Sequence, residues 1–241
     1  MCLSPRSGWS FWVAWSRWFV APGISSARWR RASVHRLVAL LLVGLLRLVT
    51  GVRARWVGSV PSIRPRIYFA NHSSHLDSLV IWAALPPDVR RRTRPVAARD
   101  YWGESPFRRY LARRVFNAIF IDRNGGSSSR ETLNQILDAI GEDYSLIFFP
   151  EGTRGNGEEI APFKSGLYRL ALARPDLELI PVYLENLSRV LPKGKVIPIP
   201  LLGSATFGRP LRLGEHEAKE EFLWRARRDV LNLNEAPHAD A

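Results

Sequence analysis

Short apolar segments alternate with helical segments from residue 64 onward, and this alternation constrains the fold more than any other feature of the sequence. Five apolar segments have the length and the Gly, Pro or polar boundaries of buried strands: residues 66–70, 95–98, 117–121, 145–149 and 179–183. Three helical segments lie between them, at residues 79–85, 107–115 and 130–140. Strands that alternate with helices are typical of a largely parallel sheet. The sequence therefore predicts an α/β fold, with a mostly parallel or mixed central sheet flanked by helices.

The first 60 residues differ in composition from the rest and predict a membrane-associating segment. Residues 8–20 contain four of the nine Trp residues, and indole rings favour the headgroup region of a bilayer. Residues 34–52 contain an apolar run that stops at Arg47, whereas a bilayer crossing needs roughly 20 apolar residues. We predict two helices lying in one leaflet, with a single transmembrane helix or a helix packed on the domain as alternatives. The predicted division is residues 1–60 for this segment and 61–241 for the α/β domain.

The net charge of +13 favours anionic partners such as nucleic acid, phospholipid headgroups or phosphorylated substrates. Nine arginines and three acids lie between residues 88 and 114. This basic arc is suited to anionic lipid, to an acidic acyl-carrier protein or to coenzyme A, unless it is simply a solvated face. The chain has no zinc-finger spacing and no Gly-rich dinucleotide loop, so we expect no nucleic-acid partner. A single Cys2 excludes an internal disulfide and a cysteine-based metal cluster.

Residues 71–77 follow the first predicted strand and read Asn-His-Ser-Ser-His-Leu-Asp. Polar side chains beyond the carboxyl ends of strands face the ligand in α/β sheets. His72 and Asp77 are about 140° apart on an ideal helix, so only a turn can bring them together. Asp77 would then fix the imidazole tautomer and leave the second ring nitrogen to accept a hydroxyl proton. The alternatives are helix capping by these polar residues and a metal half-site that includes His75.

A second polar segment, residues 148–154, follows another predicted strand. Gly152 allows the backbone to approach a ligand, and Arg154 offers a planar guanidinium suited to phosphate. The alternative is an ordinary turn with a solvated charge. We expect no metal site, because no further His or Cys cluster completes the half-site around His75.

These segments resemble the glycerolipid acyltransferase family over roughly residues 64–213. The matching blocks occur in the family's order and spacing: Asn71-His72-x4-Asp77, Ile119-Phe-Ile-Asp-Arg123, Phe149-Pro-Glu-Gly-Thr-Arg154, Phe163-Lys-Ser-Gly166 and Ile180-Pro-Val182. The resemblance implies an α/β domain, often preceded by membrane-associating helices. It also implies an enzyme that transfers an acyl group from acyl-coenzyme A or acyl-carrier protein to a lysophospholipid hydroxyl, with 1-acylglycerol 3-phosphate as the first expected acceptor.

The resemblance implies that His72 is the general base and Asp77 its orienting partner, with no cofactor, no metal and no covalent acyl-enzyme. It implies that an acceptor site is shaped by five residues of two blocks: Arg123, Glu151, Gly152, Thr153 and Arg154. The expected location is a membrane, at the cytoplasmic face of the inner or plasma membrane, with the phospholipid surface as a partner.

Three basic residues have alternative interpretations. Many relatives have a lysine near the position of Arg99, which can substitute for it in phosphate binding. Arg123 could instead form a surface salt bridge with Asp122 or Glu131. Lys164 is a further expected substrate-binding residue, ranked below Arg123 and Arg154, and could instead be a solvated residue at a helix start. Other functions remain open: the same chemistry on another lipid acceptor, a thioesterase, or a non-catalytic basic protein that binds lipid or nucleic acid.

Overall fold

The computed structural model describes residues 26–74, 76–122, 128–155, 157, 159–185 and 203–235, with residues 26–33 as backbone only. Its centre is a seven-stranded sheet in the order β1-β7-β6-β2-β5-β3-β4. The strands are β1 (Arg53–Trp56), β2 (Arg66–Ala70), β3 (Thr93–Ala98), β4 (Ile119–Ile121), β5 (Ser145–Phe148), β6 (Glu178–Glu185) and β7 (Ser204–Phe207).

Most of the sheet is parallel. β2 pairs parallel with both β6 and β5, β5 with β3, and β3 with β4. β7 is antiparallel to β6, and β1 is parallel to β7, so these two strands run in the opposite direction. The predicted α/β fold with a mostly parallel, mixed sheet is therefore confirmed. The shared direction places the carboxyl ends of β2, β3, β4 and β5 at one edge of the sheet.

Helices cover both faces of the sheet. In the described residues they are α1 (Ser26–Thr50), α2 (Asp77–Ala84), α3 (Pro87–Arg91), α4 (Arg99–Gly103), α5 (Pro106–Tyr110), a π-helix (Leu111–Val115), α6 (Ser129–Ile140), α7 (Gly166–Ala173) and α8 (Lys219–Asn232). Tyr68 and Ala70 of β2 pack with α1, α2 and the π-helix, whereas Ile67 and Phe69 pack with α6, α7 and α8. This alternation along β2 is the two-residue period of a strand that is buried on both faces.

The five predicted strands correspond to β2, β3, β4, β5 and β6. β4 begins at Ile119 rather than at residue 117, because Asn117 has a φ of 50°, which a strand residue does not adopt. The sequence does not predict β1 and β7, and each has only four residues. β1 lies inside the segment assigned to residues 1–60, so the sheet begins before residue 61; the division of the chain stays a prediction.

The predicted helices are present with shifted ends. Residues 79–85 lie largely in α2, and residues 107–115 are divided between α5 and the π-helix. Residues 130–140 form α6, which begins with a capping box between Ser128 and Glu131 and is followed by Gly141. The Glu131 side chain accepts the Ser128 N–H in this capping box, and Arg123, its predicted alternative partner, lies outside the described residues.

Helix α1 contains most of the predicted helix at residues 34–52, and one of its faces packs on the domain. Val43, Leu46 and Thr50 are buried, and α1 contacts α2 and the π-helix. The Arg47 guanidinium donates to the Ala83 carbonyl near the end of α2 at 3.1 Å, and His35 Nδ1 lies 2.8 Å from the Tyr110 hydroxyl. The second predicted N-terminal helix, residues 8–20, lies outside the described residues.

The opposite face of α1 is apolar and exposed. Its large side chains are more than half exposed: Val34, Leu37, Leu40, Leu41, Leu45 and Leu48. These positions follow helical spacing, so they form one continuous stripe. None of the helices in the described residues combines the length and the apolar character that a bilayer crossing requires.

Candidate active site

The first polar residue after β2 continues the sheet with its side chain. The Asn71 Nδ2 donates to the Leu184 carbonyl at 3.0 Å, and its Oδ1 accepts from the Leu184 N–H at 2.8 Å. An amide that forms both bonds acts like one more peptide unit between β2 and β6. The end of β2 is therefore fixed immediately before the residue with catalytic potential.

His72 and Asp77 are in direct contact, as the sequence predicts. The Nδ1–H of His72 donates to Asp77 Oδ2 at 2.8 Å, and the same oxygen accepts the N–H groups of Ser73 at 2.6 Å and Ser74 at 2.9 Å. A tight turn thus wraps around the carboxylate, which is fully buried. The N-cap of α2 is Leu76, which makes no side-chain cap bond, and Asp77 is the first residue of the helix. Its carboxylate binds the turn and the imidazole, so simple N-capping does not describe its position.

The imidazole of His72 is held by Asp77 and by a neighbouring aromatic ring. Its ring stacks on Phe149, with centroids 4.2 Å apart and an interplanar angle of 18°. Its side chain is 13% exposed, and it lines a cleft at the carboxyl ends of the parallel strands. Because Nδ1 is engaged by Asp77, Nε2 is the nitrogen left to accept a proton from a ligand.

Glu151 lies beneath this turn rather than in the cleft. Its Oε1 accepts the N–H of His72 at 2.6 Å, and its Oε2 accepts the N–H of Ala161 at 3.1 Å. Burial raises the pKa of the Glu151 carboxyl, whereas these two N–H donors and the charge of His72 lower it. The resemblance implied that Glu151 shapes the acceptor site; the structure places its oxygens against backbone amides instead.

The cleft has a volume of about 630 Å³ and a cationic wall near His72. This wall contains Arg154, which follows β5, together with Lys164 and Arg169. Gly152 has a φ of 73°, and a Cβ there would lie 2.9 Å from the Lys164 Nζ, so only glycine lets this lysine lie over the loop. Three cations beside one imidazole can neutralise an anionic group of a ligand.

The rest of the cleft is apolar or acidic. Its apolar lining comes from the strands, α6 and α7: Val96, Ile121, Leu133, Ile136, Phe148 and Leu170. Asp100, Glu104 and Asp122 also line the cleft, together with Tyr101 and Trp102. The cleft therefore combines an apolar region with one cationic side.

Besides Glu151, two predicted binding residues in the described part of the chain, Arg99 and Thr153, do not line this cleft. Arg99 forms an ion pair with Asp122, with Nε and Oδ1 2.8 Å apart, and Thr153 is exposed. Arg123 lies outside the described residues, so its predicted role stays a prediction. The same holds for His75 and the metal half-site, although the described residues contain no group of three metal-ligating side chains.

The sequence did not single out Arg169 or Phe149 as site residues. Arg169 lies in α7, four residues after Ser165 of the Phe-Lys-Ser-Gly block, and this helical spacing was the available signal. Phe149 precedes the Pro-Glu-Gly-Thr segment, and its stacking on His72 depends on the pairing of β5 with β2.

We expect Asn71→Asp to lower the free energy of unfolding by about 1–3 kcal/mol, because the carboxylate cannot donate to the buried Leu184 carbonyl. Denaturant unfolding measures this change. The matched control is Asn134→Asp on the exposed surface of α6, where the expected change is below about 0.5 kcal/mol. Equal stability of the two variants would contradict the role of Asn71 in joining β2 to β6.

Comparison with known proteins identifies relatives of this chain. A family model described as Acyltransferase matches residues 53–185. Mouse 1-acyl-sn-glycerol-3-phosphate acyltransferase alpha is 27% identical over 184 residues, which cover 75% of this chain and 60% of the mouse protein. The 1-acyl-sn-glycerol-3-phosphate acyltransferase of Limnanthes douglasii is 29% identical over 175 residues, 71% of this chain and 59% of the relative. The chain thus spans about 60% of the length of these curated relatives.

A solved structure shares the fold. The crystal structure of the 1-acyl-sn-glycerophosphate acyltransferase PlsC from Thermotoga maritima superposes with a TM-score of 0.65 at 18% identity, covering 88% of this chain and 84% of that chain. The matched region of the family model contains the His72–Asp77 turn, Glu151 and Arg154. Because this model covers more than half of the chain, the chain belongs to the acyltransferase family that its sequence blocks resemble.

Proposed function

We propose that this protein transfers a fatty acyl group from an acyl thioester to the free hydroxyl of 1-acylglycerol 3-phosphate, giving phosphatidic acid. The carrying observation is that one cleft is lined by both His72, which Asp77 holds from behind, and the cations Arg154 and Lys164. The first group of residues can activate a hydroxyl, and the second can bind a phosphate. The names of the relatives support this acceptor.

In the proposed reaction, His72 Nε2 accepts the proton of the acceptor hydroxyl while its oxygen attacks the thioester carbonyl carbon. The bond from carbon to sulfur then breaks, and the thiolate leaves with a proton returned by the imidazolium. Asp77 keeps Nδ1 protonated and orients the ring throughout, as in the Asp–His half of a hydrolase triad. The substrate supplies the nucleophile, so the reaction needs neither a cofactor nor a covalent acyl-enzyme.

Binding of the acceptor phosphate is assigned to Arg154 and Lys164, with Arg169 as a third cation of the same wall. Arg123 remains a predicted contributor. Arg99 is engaged with Asp122, so a role for it in phosphate binding would require that ion pair to open. The apolar lining beside α6 and α7 suits an acyl chain. Acyl-coenzyme A and acyl-carrier protein are both proposed donors.

The proposed acceptor is a membrane lipid, and α1 offers a surface for reaching it. The exposed apolar stripe from Val34 to Leu48 covers about four turns of this helix, and buried residues on its other face fix it to the domain. Such a helix can lie in the headgroup region with its apolar side in one leaflet. We place the enzyme at the membrane, at its cytoplasmic face, where thioester donors are made and used.

Replacing the proposed base gives the direct test of the chemistry. We expect His72→Ala to lower kcat about 10²- to 10⁴-fold, the usual contribution of general base catalysis. Radiolabelled acyl transfer from acyl-coenzyme A into phosphatidic acid measures it. The matched control, His216→Ala, changes an exposed histidine of the chain and should retain wild-type kcat. Full activity of the His72 variant would refute the mechanism.

Replacing Arg154, a proposed ligand of the acceptor phosphate, should weaken acceptor binding rather than slow the chemical step. Loss of a charged hydrogen bond costs about 1.5–3 kcal/mol, so we expect Arg154→Ala to lower kcat/KM for 1-acylglycerol 3-phosphate roughly 10- to 100-fold, chiefly through KM. The exposed Arg228→Ala, on α8, is the control. An acceptor panel that includes lysophosphatidylcholine and monoacylglycerol completes the assay. Equal turnover of all acceptors by the wild type would reject the phosphomonoester as the recognised group and favour another lipid acceptor.

Membrane association is tested on α1. Burying one Leu is worth roughly 1.5–3 kcal/mol, so we expect Leu41→Asp to weaken binding to vesicles of phosphatidylglycerol and phosphatidylcholine about 10-fold or more. The control is Leu172→Asp, which changes a similarly exposed leucine of α7 on the other face of the sheet. Cosedimentation measures the bound fraction. Unchanged binding of the Leu41 variant would exclude this face as the membrane contact.

A further inference from the structure

Glu151 is buried between two loops at the carboxyl edge of the sheet, and only 2% of its surface is exposed. One loop follows β2 and carries His72; the other runs from the end of β5 toward α7. The carboxylate is not part of the lining of the cleft that contains Arg154 and Lys164. Its contacts therefore point to a role other than acceptor binding.

Both carboxylate oxygens accept backbone N–H groups, one from each loop: Oε1 from His72 at 2.6 Å and Oε2 from Ala161 at 3.1 Å. Two N–H donors at its two oxygens favour the ionised carboxylate, whereas burial raises the pKa of the Glu151 carboxyl. Hydrogen bonds to a charged acceptor are about twice as strong as neutral ones. Glu151 thus fixes the two loops relative to each other.

The carbonyl of His72 is held by the same segment. The Gly155 N–H, four residues after Glu151, donates to the His72 carbonyl at 2.8 Å. Both polar groups of the His72 backbone are therefore bound to residues 151–155, while Phe149 covers its ring. With Nδ1 bound to Asp77, Nε2 is the polar atom of His72 that remains for substrate.

The second loop is anchored in turn to the helical layer. Arg227 of α8 donates to the Ile160 carbonyl from Nε at 2.9 Å and from Nη2 at 2.6 Å. Ile160 precedes Ala161, whose N–H binds Glu151, so the carboxylate connects His72 to a loop that is itself fixed to α8. This chain of contacts holds His72, the proposed general base, in a fixed position.

We propose that Glu151 is a positioning residue for His72 rather than a ligand of the acceptor. Its effect on turnover rests on the proposed function, whereas its effect on the His72 backbone does not. Proton transfer is sensitive to geometry, and a misplacement of about 1 Å can cost about 100-fold in rate. The Glu151 anion also favours the imidazolium that forms as the hydroxyl loses its proton.

The kinetic test compares Glu151→Gln with Glu159→Gln, an equal change at an exposed position of the same loop. The amide keeps the size of Glu151 but turns an NH2 group toward one of the two N–H donors. We expect kcat to fall about 100-fold and KM for 1-acylglycerol 3-phosphate to stay within about twofold. The acid limb of the kcat profile should also move to lower pH, because the anion that favours the imidazolium is gone. The control should match the wild type.

A raised KM with unchanged kcat in Glu151→Gln would mean that this residue contacts the acceptor, and would overturn the proposal. Hydrogen exchange of the His72 amide supplies a test that needs no turnover and no variant. In the wild type we expect this amide to be strongly protected and shifted downfield by its short bond to a carboxylate. An unprotected His72 amide would equally overturn the proposal. Protection of that amide in a protein inactive on every acceptor would instead reject the proposed function alone.

Discussion

The parallel pairing of β2 with β5 is the constraint on which the site depends. Phe69 of β2 lies opposite Phe148 of β5, so both strands end at the same height of the sheet. The loop with His72 and the loop with Glu151 therefore leave the sheet side by side. Stacking of Phe149 on His72 and the bond from the His72 amide to Glu151 both follow from this register. A shift of one residue in β5 would reverse which side chains face the core and would separate these contacts.

The carboxylates of Asp77 and Glu151 are buried at this edge of the sheet, and the loss of their hydration has to be compensated by hydrogen-bond donors. An isolated carboxylate in an apolar interior carries a desolvation cost of tens of kcal/mol in an idealised treatment, so buried anions depend on donors. Asp77 receives two backbone N–H groups and the imidazole, and Glu151 receives two backbone N–H groups. Every one of these donors belongs to a loop at the strand ends. The two carboxylates consequently fix the loop conformations through these hydrogen bonds.

Local patterns in the sequence predict the buried strands and the contact between His72 and Asp77. The central strands are continuous apolar runs, and a five-residue spacing that no helix satisfies indicates a turn. β1 is not predictable in this way, because two of the four residues in its sequence Arg-Ala-Arg-Trp are charged. Its pairing partner β7 also lies about 150 residues away in the chain. The direction of the Glu151 side chain was likewise beyond the sequence: a glutamate after a strand is compatible with a ligand contact or a backbone contact. In the structure the backbone N–H groups of His72 and Ala161 bind its two oxygens, so the contact is with the backbone.

Helix α1 connects the proposed membrane surface to the catalytic turn through a single neighbouring helix. Its inner face packs on α2, where Arg47 binds the Ala83 carbonyl, and α2 begins at Asp77. The six residues from Asp77 to Ala83 span about 9 Å of helix, so the contact with α1 lies close to the base. Arg90 donates to the same carbonyl, which fixes the end of α2 from a second side. A leaflet in contact with the outer face of α1 would therefore lie at a constant distance from His72. An acceptor hydroxyl near the headgroup level could then meet the base without a movement of the domain.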